Sequence, residues 1–574
     1  MENEMFSFNE LNYSGFQDKF VSIDPESDGG DMATKVPFYE AQEWRDSDYG
    51  FHQEKLREEE QLQQSFLDYV QFDDLRFHIF CPPLKTCLDE MTKPGEIQNE
   101  IQEVESKEDK SYPFSLESLQ LLRNHSNEFK QFRSGRVIEP SNCFPPTKDT
   151  GQRLSAEEII RLAGAKFIQS AYQGVDVSSI FSNPFYLSGL SADDAKMVEL
   201  AGFLLASAEK IGNQQFDCAS RLLKACSNFS SSVGNPVQRV VHYFAEVLRE
   251  RINIETGRIT SKGLGSKQSF DIEKAILAPN PTTLEAYKLV PFCQIVHFAG
   301  IQAIVENIAD AKRIHIIDFT IKNGLQWSIL MQALVSRREF PVELLKITAI
   351  STGWENLIET TGKRLTSFAQ TMNLNFSFKI VVVSDFLDLK EDLLQLDDEE
   401  TVAIFSEHLP RSQITLPNRL ESMMRLIKKI HPCVMVVAEV EANCNSPTFV
   451  NRFIEALFYY TAYFDCVDAC MERDDSNRLI LESMYLGKGI RNNIASEGEQ
   501  PKIRSVKLDV WRSFYARFGM VEIDLSSSSL LQANLIMKNF PCASFCTLDQ
   551  SGKSLLVGWK GTPLHSLSAW KFGL

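Results

Sequence analysis

The sequence predicts an α/β fold: a Rossmann-like, doubly wound sheet of methyltransferase-like plan with an antiparallel C-terminal edge, an α-helical cap, and a largely disordered N-terminal arm. Three observations point there. From about residue 281, apolar runs such as "RIHIIDF", "LLKITAIS" and "CVMVVAEV" alternate with helical stretches, the grammar of parallel strands covered on both faces. Between residues 151 and 255, amphipathic helices follow one another across short connections, as in a bundle. Residues 1–150, by contrast, are acidic, broken by turn formers and without sustained period.

In chain order, the arm carries a helical stretch in "HQEKLREEEQLQQSFLDYV" and a solvated linker in "EIQNEIQEVESKEDKSYP". Its aromatics, among them Phe6, Phe8, Phe38, Tyr39 and Trp44, sit in acidic surroundings that keep them wet. That fits either an interaction or activation segment or a plain tail. Ordered structure begins at "LSAEEIIRLAGAKFIQSAY", where Ser155 and Glu158 make a capping box and Ile159, Ile160, Ala163 and Phe167 share a face. A second helix, in "SADDAKMVELAGFLLASAEKIG", repeats apolar residues at three and four and stops at Gly212. A third, "QFDCASRLLKACSNF", and a fourth starting at Pro236, a residue suited to a first turn, complete the cap. Residues 256–280 read as a linker. A long helix over 283–310 then leads into "RIHIIDF", and four further strand runs follow, joined by helical crossovers. The segment "LIMKNFPCASFCTLDQSGKSLLVGW" reads as antiparallel strands joined at an Asp-Gln-Ser-Gly turn.

Composition narrows the function. A net charge of −18, from 59 basic and 77 acidic residues, argues against a chain devoted to neutralising phosphates, so DNA is expected to be reached only indirectly. No apolar run is long enough to cross a bilayer, and the acidic start lacks the plan of a signal peptide, so a soluble intracellular protein is expected. The 12 cysteines are scattered. The pairs Cys466/Cys470 and Cys542/Cys546 lack the ligand set of a zinc site and read as reduced, packed thiols.

A parallel sheet with an antiparallel hairpin after its last helix is also the plan of enzymes that use S-adenosylmethionine. Such a site wants closely spaced glycines after the first strand and a carboxylate at the end of the second. Here Asp318 is followed by Phe-Thr-Ile-Lys-Asn-Gly, and the second strand ends in Ser351 and Thr352. His315 reads as a satisfied core histidine, and Asp318 as a cap for the amides of the following loop. Glu439 and Glu441 could form an acid/base pair, or, with no nucleophile or metal beside them, serve a salt bridge or a partner. No Walker loop, nucleophile elbow or His-Glu-x-x-His motif occurs. The chain is therefore expected to be no enzyme, with no catalytic, cofactor or metal residues. The alternative is a retained cleft that binds an S-adenosylmethionine-like ligand or transfers methyl groups.

The stretch "IHIIDF…GLQW", with His315, Ile316, Ile317, Asp318, Phe319, Gly324, Gln326 and Trp327, resembles the strand-and-loop signature of the plant GRAS-domain transcriptional regulators. The resemblance runs over about residues 155–574 with its motifs in family order. A first leucine-rich stretch holds Leu204, Leu205, Leu222 and Leu223. "GKRLTSFAQTMNLNFSFKIVV" carries Gly362 and Arg364, "VVAEVEANCNSPTFV" carries Glu441 and Asn443, and Trp511 follows. The chain closes on "LLVGWKGTPLHSLSAWKF", with Gly558, Trp559, Ser568, Ala569 and Trp570. It departs from the family at Thr320-Ile321-Lys322-Asn323 and in "EQPKIRSVKLDVW", and the arm lacks the Asp-Glu-Leu-Leu-Ala sequence of the DELLA branch. The resemblance implies a cap on a Rossmann-like core without catalysis. It also implies a nuclear co-regulator recruited by DNA-binding transcription factors of zinc-finger type, pairing with other GRAS proteins as homo- or heterodimers. Most leucines of the cap are expected to be core, with Leu204, Leu205, Leu222 and Leu223 also the candidates for partner contact. The tryptophans read as packing anchors.

Overall fold

The computed structural model describes residues 114–127, 154–173, 190–258, 281–353, 355–416, 418–495 and 503–573. The expectations for residues 1–113 and 259–280 lie outside them. Five of the apolar runs pair as parallel strands: β1 (Arg313–Asp318), β2 (Leu344–Ser351), β3 (Phe376–Val382), β4 (Thr401–Glu407) and β5 (Val434–Val440). Their spatial order is β3-β2-β1-β4-β5, so successive connections reverse direction between β1 and β4. Chains leaving the carboxyl ends of those two strands diverge, and a crevice opens there.

The sheet continues antiparallel through β9 (Thr562–Phe572), β8 (Ser554–Trp559) and β7 (Cys546–Ser551), while β6 (Met520–Ile523) pairs with β9. The β7–β8 hairpin turns at Gly552 and Lys553, one step beyond the expected Asp-Gln-Ser-Gly turn, with Gly552 at φ +56°. The residues "LIMK" are not strand. They end the Ser527–Lys538 helix, whose cap Ser526 accepts from the Ser529 amide and which packs on the Pro291–Asn307 helix. The long helix expected over 283–310 is also two, Pro281–Leu289 and Pro291–Asn307, bent by 75°. Pro291 has no N–H to offer the preceding turn and pushes Val290 into extended backbone.

The four cap helices form where the periodicity places them, at Ala156–Gln173, Ala192–Gly212, Phe216–Phe229 and Pro236–Glu255. Two more elements join them. Leu116–Asn127, inside the span read as arm, is a helix whose Leu119 and Leu122 are buried with Phe114 in the cap. Its Ser118 hydroxyl donates to Asn451 at 2.7 Å, and Arg161 donates to the His125 carbonyl. Residues 114–127 thus pack with the cap, ahead of the boundary expected at 151. The Phe449–Cys470 helix, expected in the α/β core, instead runs through the cap: Phe453, Leu457, Phe458 and Phe464 share one apolar cluster with Leu204, Leu205 and Phe244. It is apolar on nearly every face, and such a helix must be surrounded. Arg239, Glu482 and Arg478, all fully buried, tie the Pro236–Glu255 helix to the chain beyond it, with Arg239 Nε 3.1 Å from Glu482. Beneath the sheet, Trp511, Phe514, Tyr515 and Trp570 pack with Met423, Met424 and Met435.

Candidate functional site

The crevice between β1 and β4 has two unlike sides. On the β1–β2 side the chain fills it. Asp318, at the end of β1, accepts from the Thr320 amide at 2.9 Å, the Trp327 indole at 2.9 Å and the Gln326 amide at 3.4 Å. Burial pushes its carboxyl up to about 7 against the pull of those donors. Phe319 and Ile321 point inward and are buried. Gly324, at φ +71°, opens the Leu325–Val335 helix, and a Cβ there would meet Thr361 at 2.9 Å. From the neighbouring Glu355–Thr371 helix, Arg364 donates to the Asn323 carbonyl and Thr361 to that of Lys322. Gly362 lets that helix lie on Phe378, since a Cβ would come within 2.3 Å of the ring. At the end of β2, where a nucleotide ribose would need a carboxylate, Ser351 is buried.

On the β4–β5 side a cavity of about 270 Å³ remains between the sheet and the cap. Tyr287, His297, Lys322, Glu407, Arg411 and Tyr463 are among the residues lining it. Glu407, at the end of β4, lies 3.1 Å from Lys322 Nζ and 3.3 Å from His297 Nε2. Burial alone would raise its carboxyl, but Lys322, His297 and His408 hold it well below the usual range. His408 is itself driven well below its ordinary value by burial and by Arg411. His565, hydrogen-bonded to the Tyr463 hydroxyl, is lowered to about 3 by burial. Burial pushes the Cys293 thiol up to about 12, so it is no ready nucleophile. The cavity therefore brings together imidazoles, phenols, a lysine, an arginine and one carboxylate, a set suited to holding a ligand rather than attacking one.

Residues 200–571 match the GRAS domain family. The chain belongs to the GRAS domain family. Among its relatives, the DELLA protein RGL1 of Arabidopsis thaliana is 30% identical over 65% of this chain and 70% of its own length. The DELLA protein GAI1 of Vitis vinifera is 29% identical over 71% and 67%. The crystal structure of SCL7 in Oryza sativa superimposes with a TM-score of 0.57 at 24% identity, covering 65% of this chain and 99% of that one, which shows a common fold. GRAS proteins of this kind are plant transcriptional regulators.

The GRAS motif residues lie mostly inside the protein. His315 is buried between Thr348, 2.7 Å from Nε2, and Glu400, 3.0 Å from Nδ1, and burial lowers it to about 3. Trp559 donates to Asp465 at 2.8 Å and Trp570 to Ser568 at 2.9 Å. Ala569 faces Val436 in the sheet. Gly558 marks a register shift where a Cβ would strike the Thr562 carbonyl at 2.5 Å. The Asn443 amide donates to Glu455. Glu439 and Glu441 do not work as a pair: β5 stops at Val440, Glu441 accepts from the Leu508 amide, and Glu439 turns toward Arg411 and His408. Burial raises each of them to about 7.

One expectation is corrected. Leu204, Leu205 and Leu223, named as candidates for partner contact, are wholly buried in the cap, and only Leu222 of the four is part-exposed. Sequence reasoning also missed Glu407, His297, Arg411, Tyr463 and His565. The one available signal was position, since Glu407 and His408 follow directly on a strand beside the switch point.

Proposed function

We propose that this chain is a nuclear transcriptional co-regulator that acts by contact with DNA-binding transcription factors of zinc-finger type and with other GRAS proteins, and that it is not an enzyme. The observation that carries this reading is the filled β1–β2 side of the crevice, where Asp318 spends its acceptors on Thr320, Trp327 and Gln326 instead of a nucleotide. The net charge of −18 supports an indirect route to DNA. Large apolar residues left exposed, including Phe229 and Val233 on the cap and Val382 and Leu387 along the β3 edge, suit protein contact. Nuclear residence follows from the regulatory role of the family. The test tethers the full chain to an unrelated DNA-binding domain in plant cells beside a reporter, and separately titrates the purified chain with DNA. A changed reporter with no binding by the chain alone is expected. An unchanged reporter, or tight and steeply salt-dependent DNA binding by the chain alone, would overturn the reading.

A second reading, a small-molecule receptor, is favoured by the cavity with Lys322 and Arg411 set against Glu407 as the only carboxylate among its described lining residues. Calorimetric titration with S-adenosylmethionine and S-adenosylhomocysteine separates the two. One-to-one binding that Arg411→Ala removes would move the assignment to the second.

A further inference from the structure

Four thiols from two distant stretches of sequence meet at one point of the fold. Cys466 and Cys470 are one turn apart at the end of the Phe449–Cys470 helix, and Cys542 and Cys546 bracket the 3-10 turn Ala543–Phe545 ahead of β7. The Cys470 S–H is directed at the Cys542 sulfur, 3.3 Å away, and the Cys466 sulfur lies 3.8 Å from that of Cys470. Cys546 donates to the Cys542 carbonyl at 3.6 Å. Cys470 is part-exposed while the other three are buried, so a small solute can reach the group from one side. Among the described residues, no group of three or more His, Cys, Asp or Glu has the arrangement of a metal site.

We propose that Cys470 and Cys542 are a covalent modification site, forming a reversible disulfide when the protein meets a hydroperoxide. The Cys470 S–H aimed at the Cys542 sulfur holds the Cys542 thiol below its ordinary value, which favours the thiolate such chemistry needs. That thiolate attacks the peroxide, breaking the O–O bond to give a sulfenic acid and, for hydrogen peroxide, hydroxide. The Cys470 sulfur then displaces the sulfenic oxygen, the S–S bond forms, and the oxygen leaves as water with the thiol proton. Two thiols lose two electrons, and hydrogen peroxide becomes two waters. The link joins the central helix of the cap to the C-terminal hairpin across 72 residues of sequence. Residues of both elements, Asp465 and Asp468 from the helix and Phe545, Thr547 and Lys560 from the hairpin, line a groove of about 850 Å³, where Lys560 is ion-paired with Asp465. None of this depends on the transcriptional reading above.

The test exposes the full-length protein to hydrogen peroxide, alkylates the remaining thiols and maps the peptides by mass spectrometry. Expected are a Cys470–Cys542 cross-linked peptide and the loss of two alkylatable thiols per chain, both reversed by dithiothreitol. Cys470→Ser and Cys542→Ser should each abolish the cross-link, and Cys218→Ser should keep it. If a serine variant fails to fold, the wild-type map decides alone. The proposal is overturned if both residues stay alkylatable while other cysteines oxidise. It is overturned equally if one zinc per chain copurifies and shields all four thiols until it is chelated.

Discussion

On the β1–β2 side of the crevice a buried carboxylate, Asp318, is ringed by N–H donors from its own loop and helix. On the β4–β5 side a second buried carboxylate, Glu407, faces a lysine, two histidines and an open volume. The backbone plan is the same on both sides, a parallel strand ending at a loop. What differs is where the following residues pack: Phe319 and Ile321 fold into the loop after β1, whereas Leu409 and Pro410 are buried in a short helix after β4. Whether such a crevice is open depends on a few side chains and not on the order of strands.

The largest effect is expected from breaking the filled side. Trp327→Ala removes a fully buried ring and strands Asp318 without its indole donor, and should cost about 3–5 kcal/mol. A urea melt showing less than about 1 kcal/mol would mean that side is not packed as described.

Glu439→Gln probes the other side through pH. Burial raises Glu439 from an ordinary 4.5 to about 7, so the folded state holds its proton more tightly than the unfolded chain. Its contribution to stability is complete below about 4.5 and is lost as pH climbs through 7. The Gln variant escapes that loss, so it should gain up to about 3 kcal/mol over wild type at pH 8 and little at pH 5. Melting curves at the two pH values check this, and equal gains at both would refute it.

A smaller cost is expected from Gly362→Ala, whose methyl meets the Phe378 ring at 2.3 Å: about 1–3 kcal/mol, read from the same urea melts. Stability unchanged by the methyl would show that the Glu355–Thr371 helix shifts freely on the sheet. The smallest belongs to Arg411→Ala. It is half-buried between open space and the carboxyl of Glu439, so thermal stability should change by no more than about 1 kcal/mol. A loss above about 2 kcal/mol would show that this side, too, is a packed interior.

Much of the fold could be read from the chain because strands covered on both faces are rich in apolar residues, and β1, β2 and β5 are buried along most of their length. Asp318 was legible as a loop cap because its Thr320 partner is two residues away. Its Trp327 partner, nine residues on, needed the helix between them to turn back. Glu407 and Lys322, or Cys470 and Cys542, meet only through topology, and no local pattern marks such pairs. The helix at Leu116–Asn127 escaped notice because its buried face is narrow, with Leu119 and Leu122 set in polar surroundings.

The Phe449–Cys470 helix inside the cap carries a consequence for biosynthesis. The helices at Ala156–Gln173 through Pro236–Glu255 leave the ribosome well before the segment that covers Leu204, Leu205 and Phe244. The intervening stretch between residues 255 and 449 takes roughly 10–40 s to translate. For that interval the nascent chain exposes an unfinished apolar face, which makes it a client for cotranslational chaperones until its second half arrives.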